Sequence, residues 1–98
     1  PLDPATGKLC GPDIASQTRQ VLTNIRNILT SMRATMKDVV KTTVIITDAK
    51  DFAAMNEVYK EFFSEPYPAR TTFVGQLVMP GMLVEIDATA QTDKWHWE

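Results

Sequence analysis

The sequence predicts an α+β domain with two amphipathic helices packed on one face of a three-stranded sheet. Apolar residues recur at three- and four-residue steps in two stretches that begin near Ile14 and Phe52. A β-branched run, Val39 to Thr47, lies between them. Two further extended stretches flank a Pro-Gly turn after the second helix. The 98 residues leave room for one domain, 1–98, and a chain of this size buries only about 60–65% of its unfolded surface.

The elements follow in order. Residues 1–12, PLDPATGKLCGP, carry three prolines and two glycines and read as a turn-rich loop. Asp13 is the expected N-cap of the first helix. Ile14, Thr18, Val21, Leu22, Ile25, Ile28, Leu29 and Met32 form its apolar stripe, and it is expected to end near Arg33 or Ala34. In the strand that follows, Val40, Thr42, Val44 and Ile46 alternate onto one face, and Val39, Lys41, Thr43 and Ile45 onto the other. Asp48 or Asp51 caps the second helix, whose stripe is Phe52, Met55, Val58, Tyr59, Phe62 and Phe63, and which must stop before Pro66 and Pro68. Arg70 to Val78 reads as a strand, Met79-Pro80-Gly81-Met82 as a type II turn, and Leu83 to Thr92 as the antiparallel partner of that strand. Val84, Ile86, Ala88 and Ala90 share one face of this last strand; Leu83, Glu85, Asp87 and Thr89 share the other. Helices on one side leave the far face of the sheet bare, and a second copy of the chain is its economical cover.

Composition narrows the function. Ten basic and twelve acidic residues give a net charge of −2, so no global basic field favours non-specific nucleic-acid binding. A hydrophobic fraction of 44% places the chain among ordinary globular domains rather than disordered ones. One cysteine, Cys10, excludes an internal disulfide, and with one histidine, His96, it cannot build a structural zinc site. No metal is expected. The longest apolar stretch, Phe73 to Val84, is broken by Gln76, Pro80 and Gly81 and does not suit a bilayer span. No signal-peptide pattern is visible. The chain begins at Pro1, so targeting information would sit upstream; the cytoplasm is expected, with the mitochondrion as the alternative.

Several segments in one order carry a resemblance: PLDPATG, QTRQVLTNI, DVVKTTVIITD, DFAAMNEVYKEFF, PAR and VEIDATA. Together they resemble the Rid/YjgF family of small imine deaminases, over roughly residues 1–90. The resemblance implies a chorismate-mutase-like fold, a mixed sheet with two helices on one face. It also implies homotrimers with clefts between subunits, and hydrolysis of 2-iminobutanoate and 2-iminopropanoate to 2-oxo acids and ammonia without a cofactor. Family members carry a stretch ahead of PLDPATG, with a tyrosine in an early strand and a Ser-Gly-Gln turn lining the ligand cleft; the N-terminal strands have no counterpart here. The chain departs from the family in two other places. Thr72 stands where a cysteine is common, and Met79-Pro80-Gly81-Met82 replaces a Leu-Pro-Lys-Gly turn.

Arg70 is the first candidate for chemistry. A guanidinium fork binds a planar carboxylate bidentately, and the family's matching arginine holds the substrate carboxylate. The alternative is a sheet-end salt bridge. Glu85 is second: hydrolysis of C=N needs an aimed water and a proton route, and a carboxylate supplies both. Its alternative, shared with Asp87, is a solvated strand face. Thr72 falls on the strand face of Arg70, where its hydroxyl binds ligand or packs, and Asn56 resembles a family position near the subunit contact. Tyr59 and Phe63 read as core or intersubunit packing. Cys10 has no histidine near it in sequence, so a Cys-His nucleophile is not expected. The tail holds Trp95, His96 and Trp97 and reads equally as a docked terminus or a partner contact. Arg19, Arg26 and Arg33 stand seven apart on the first helix. They read as a solvated face, or as a phosphate contact in an RNA-binding protein or endoribonuclease, the second alternative beside a non-catalytic assembly module.

Overall fold

The computed structural model describes residues 2–9 and 11–92. The tail expectations and Cys10 fall outside the described residues. Helix α1 spans Ile14–Ser31, strand β1 Val39–Ile46, helix α2 Phe52–Phe62, strand β2 Ala69–Val74 and strand β3 Val84–Ala90, with short 3-10 turns at Met36–Asp38 and Ala49–Asp51.

Asp13 caps α1, its carboxylate accepting from the Ser16 amide at 3.1 Å. The helix ends two residues before the expected boundary. Arg33 takes a left-handed conformation at φ 62°, and the Ala34 amide reaches back to the Leu29 carbonyl at 2.8 Å. This Schellman-type reversal satisfies a terminal carbonyl and drives Ala34 into the core. At α2, Asp48 caps the 3-10 turn that leads into the helix, by accepting from the Lys50 amide; Asp51 makes no side-chain cap.

The sheet is mixed, in the order β2-β1-β3. β1 runs parallel to β2, with Thr42 opposite Arg70 and Val44 opposite Thr72, and antiparallel to β3, with Val44 opposite Ile86 and Ile45 opposite Glu85. The expected hairpin between the last two strands does not form. β2 leaves the sheet after Val74, four residues before the expected end, and both strands pair with β1 instead. β1 is the β-branched run, and in the central position it shields most of its apolar surface. The Pro-Gly turn itself forms as expected: Gly81 has φ 84° and the Met82 amide bonds the Met79 carbonyl. A register shift between Val39 and Lys41 corrects a second expectation. The bulge turns Val39 inward, at 4% exposure, and Val40 outward, at 47%.

The core lies between the helices and one face of the sheet, built on Leu22, Met55, Val44, Ile46 and Val84. Gln17 is fully buried among them. Its amide nitrogen donates to the Gly11 carbonyl at 2.8 Å and the Gly81 carbonyl at 2.9 Å, and its oxygen accepts from the Leu83 amide at 2.7 Å. One side chain thus fastens the N-terminal loop and the Pro-Gly turn to α1. The other face of the sheet carries Thr43, Ile45, Thr71, Phe73, Glu85 and Asp87, and no described element covers it. Among the described residues, no helix is long and apolar enough to cross a membrane.

Candidate functional site

Arg70 opens β2 opposite Thr42, so both side chains point to the helix-covered side. Thr42 is buried and shares a 2.8 Å hydrogen bond with the Tyr59 hydroxyl, which fixes that ring. Above it the Arg70 guanidinium is held on three sides. Its Nη1 donates to Asn56 Oδ1 at 2.6 Å, and its Cζ lies 4.7 Å from the Tyr59 ring centre and 5.4 Å from that of Phe52. Phe52, Asn56 and Tyr59 stand at i, i+4 and i+7 on α2, one turn apart on a single face. This explains why Phe52, expected in the core stripe, is 41% exposed. Tyr67 and Pro68 close the remaining side. Asn56, Tyr59, Lys60, Tyr67, Pro68 and Arg70 line an open cavity of about 440 Å³.

The electrostatics follow from the partners. Asn56 takes one guanidinium N–H but brings no charge, and two aromatic faces stabilise a cation without neutralising it. Among the described residues Arg70 makes no ion pair. A fixed, uncompensated cation in an aromatic-walled recess is suited to a carboxylate. Thr72 lies two residues on, on the same side, and its buried hydroxyl has no hydrogen-bond partner.

Glu85 is not brought to this site. It pairs with Ile45, so its side chain falls on the opposite face of the sheet, on the opposite edge strand. Two strand spacings and three residue steps put its Cα roughly 14 Å from that of Arg70. Asn56, Arg70 and Thr72 therefore share one side of one chain, and the expected Arg70–Glu85 pair is not assembled within that chain. Asp87 is exposed on the face of Glu85. No group of His, Cys, Asp and Glu among the described residues could hold a metal ion.

The profile of the family described as Endoribonuclease L-PSP matches residues 1–92. A RutC family protein of Pyrococcus horikoshii is 47% identical over 90 residues, which make up 92% of this chain and 71% of that protein. The chain belongs to the Endoribonuclease L-PSP family, also called YjgF/RidA. A 2-iminobutanoate/2-iminopropanoate deaminase of Capra hircus is 39% identical over 89 residues, 91% of this chain and 65% of that enzyme. The crystal structure of RidA from an Antarctic Psychrobacter superposes with a TM-score of 0.82 at 39% identity, covering 89% of this chain and 70% of that one. The mixed sheet with two helices on one face is thus the YjgF/RidA fold.

On this family frame the three arginines of α1 turn out to be engaged separately. Arg19 makes a salt bridge to Glu61 of α2 at 2.9 Å, Arg26 lies 5.2 Å from the Phe62 ring centre, and Arg33 sits beyond the helix in the left-handed reversal. Tyr59 and Phe63 are core residues, their ring centres 4.6 Å apart. The sequence reading missed Phe52 as a ring against Arg70, and Lys60 and Tyr67 as cavity walls. A signal existed for two of them, since Phe52, Asn56 and Lys60 stand four apart and must share a helix face.

Proposed function

We propose that the chain hydrolyses 2-imino acids to 2-oxo acids and ammonia. The observation that carries the reading is the Arg70 guanidinium, fixed by Asn56 and two aromatic rings and left without a counter-charge. The naming of a 39% identical relative as a 2-iminobutanoate/2-iminopropanoate deaminase supports it. The substrate carboxylate docks on the free N–H groups of Arg70; the Thr72 hydroxyl is closed inside the fold and does not line the recess. Water adds to the imine carbon, a carboxylate takes one of its protons, and that proton passes to nitrogen to give a carbinolamine. The same carboxylate moves the remaining hydroxyl proton to nitrogen as the C–N bond breaks, so the carbonyl forms and ammonia leaves. Glu85 is the carboxylate of choice, and its place on the far face requires that it come from a second copy of the chain. The site is then an intersubunit cleft, as in a homotrimer, and the bare sheet face is the surface the copies share.

The test couples threonine dehydratase, as a source of 2-iminobutanoate, to semicarbazide trapping. The chain should lower semicarbazone formation, and Arg70→Ala should abolish the effect while leaving the oligomer intact. An Arg70→Ala variant with full activity would remove the assignment. An inactive wild-type chain would favour a non-catalytic assembly role.

A further inference from the structure

The proposed reaction leaves one charged wall of the cavity unused. Lys60 lines the same recess as Arg70. It stands one turn beyond Asn56 on α2, which places its Cα about 6 Å farther along the helix axis than the residue that grips Arg70. The lining therefore carries two cationic side chains, Arg70 held in place by Asn56 and Lys60 on a flexible, exposed stem that can swing from Glu57 to a ligand in the recess. Between them lie Tyr59, Tyr67 and Pro68, which present ring faces and no negative charge.

The ammonium of Lys60 is weakly engaged. Its one ion pair among the described residues is a 3.5 Å contact with Glu57, where the two side chains are 58% and 76% exposed. A solvent-exposed pair of this length contributes little and gives way readily to a competing carboxylate. No acidic residue of the same chain lines the recess among the described residues, and the Glu85 that the proposed reaction brings from a second copy belongs at the imine carbon beside Arg70. Two like charges facing one small cavity repel each other and raise the affinity for a ligand with two negative groups. The span of one helical turn suits the two carboxylates of a four- or five-carbon diacid.

We infer that the cavity selects 2-imino dicarboxylates, the imines of acidic amino acids, with Arg70 holding the carboxylate beside the imine and Lys60 the distal one. This rests on the deaminase reading for the reaction, while the two-cation recess itself stands on geometry alone. Lys60 is here a specificity residue rather than a catalytic one.

Binding of the stable 2-oxo acids tests it directly. The purified chain is titrated by calorimetry with 2-oxoglutarate and with 2-oxobutanoate at low ionic strength. 2-Oxoglutarate should bind about three- to five-fold more tightly, the upper part of the range an exposed ion pair supplies. Lys60→Ala should remove that preference, Lys60→Arg should keep it, and added salt should shrink it. Equal affinities in the wild type, a preference that survives Lys60→Ala, or binding of neither acid would overturn the inference. The two readings fail separately. Hydrolysis of 2-iminobutanoate with no Lys60-dependent preference keeps the deaminase and removes the dicarboxylate. Lys60-dependent binding of 2-oxoglutarate without hydrolysis does the reverse.

Discussion

Gln17→Leu removes the polar side chain that ties two separate segments, the N-terminal loop and the Pro-Gly turn leading into β3, to α1, and it does so without opening a large cavity. The substitution deletes hydrogen bonds of 2.7, 2.8 and 2.9 Å. They are not equal in weight. Gly81 is an exposed residue and Gly11 a half-buried one, and both bonds are partly buried, so water can replace part of what they lose. The Leu83 amide sits at the entry to β3, next to fully buried Val84, and has no such recourse. Taking about 1 kcal/mol for each bond, and more for an amide left unpaired, the loss should be about 3 kcal/mol. That is a large fraction of the roughly 5–15 kcal/mol that holds a domain of this size. With a urea slope of about 1.5 kcal/mol/M, the unfolding midpoint should fall by about 2 M. Amide exchange should locate the damage, with Leu83 losing protection before residues in the middle of β1. A loss below about 1 kcal/mol, or unchanged protection at Leu83, would show that solvent replaces Gln17 and that the turn docks without it.

Tyr59→Phe strands the buried Thr42 hydroxyl and should cost about 1–2 kcal/mol in a urea melt, while the ring beneath Arg70 remains. Mixing Arg70→Ala with Glu85→Gln chains, each inactive alone, should restore about a quarter of wild-type deaminase turnover, because one cleft in four then draws both intact residues from different copies; no recovery would place both residues in one chain's site. Arg33→Gly should raise stability by about 0.5–1 kcal/mol in a thermal melt, since glycine takes the left-handed conformation without the Cβ clash. The Ser16 hydroxyl and amide hold the Asp13 carboxyl below its ordinary value of 3.8. A lowered native value means that the cap stabilises fully above the ordinary value and is lost as pH falls through the native one, so helical circular dichroism should decline in that acid range in the wild type and not in Asp13→Asn.

The elements were legible because each follows a period. The stripe from Ile14 and the run from Val39 need no tertiary knowledge, and both appear where that spacing puts them. Strand pairing was not legible in the same way. A Pro-Gly turn between two extended stretches carries the local signature of a hairpin, and the turn forms, but the pairing depends on which strand the core needs at its centre. The bulge at Val39 has no composition of its own, so Val40 was placed on the wrong face. Gln17 gave no signal because two of its three partners, Gly81 and Leu83, lie more than sixty residues away. At the site, Arg70 and Asn56 came from a family resemblance; that they touch depends on α2 crossing the start of β2, which no spacing reveals.

The separation of Arg70 and Glu85 follows from the topology rather than from any local choice. Had the last two strands formed the expected hairpin, a cross-strand register could have set the two residues side by side on one face. With β1 between them, both are referred to the same central strand, Arg70 to Thr42 and Glu85 to Ile45. Those two positions differ by three, an odd number, and side chains alternate along a strand, so the faces must differ. A slip of one residue in either pairing would reverse this, but it would also turn Ile86 or Thr72 out of the interior, and the apolar face of β3 holds the register against it. A single chain therefore carries Arg70 on its helical side and Glu85 on its bare side. On the proposed mechanism, in which Arg70 anchors the carboxylate and Glu85 is the general base, a second copy is what brings the two to one carbon atom, and the face that offers Glu85 is the one that association would cover.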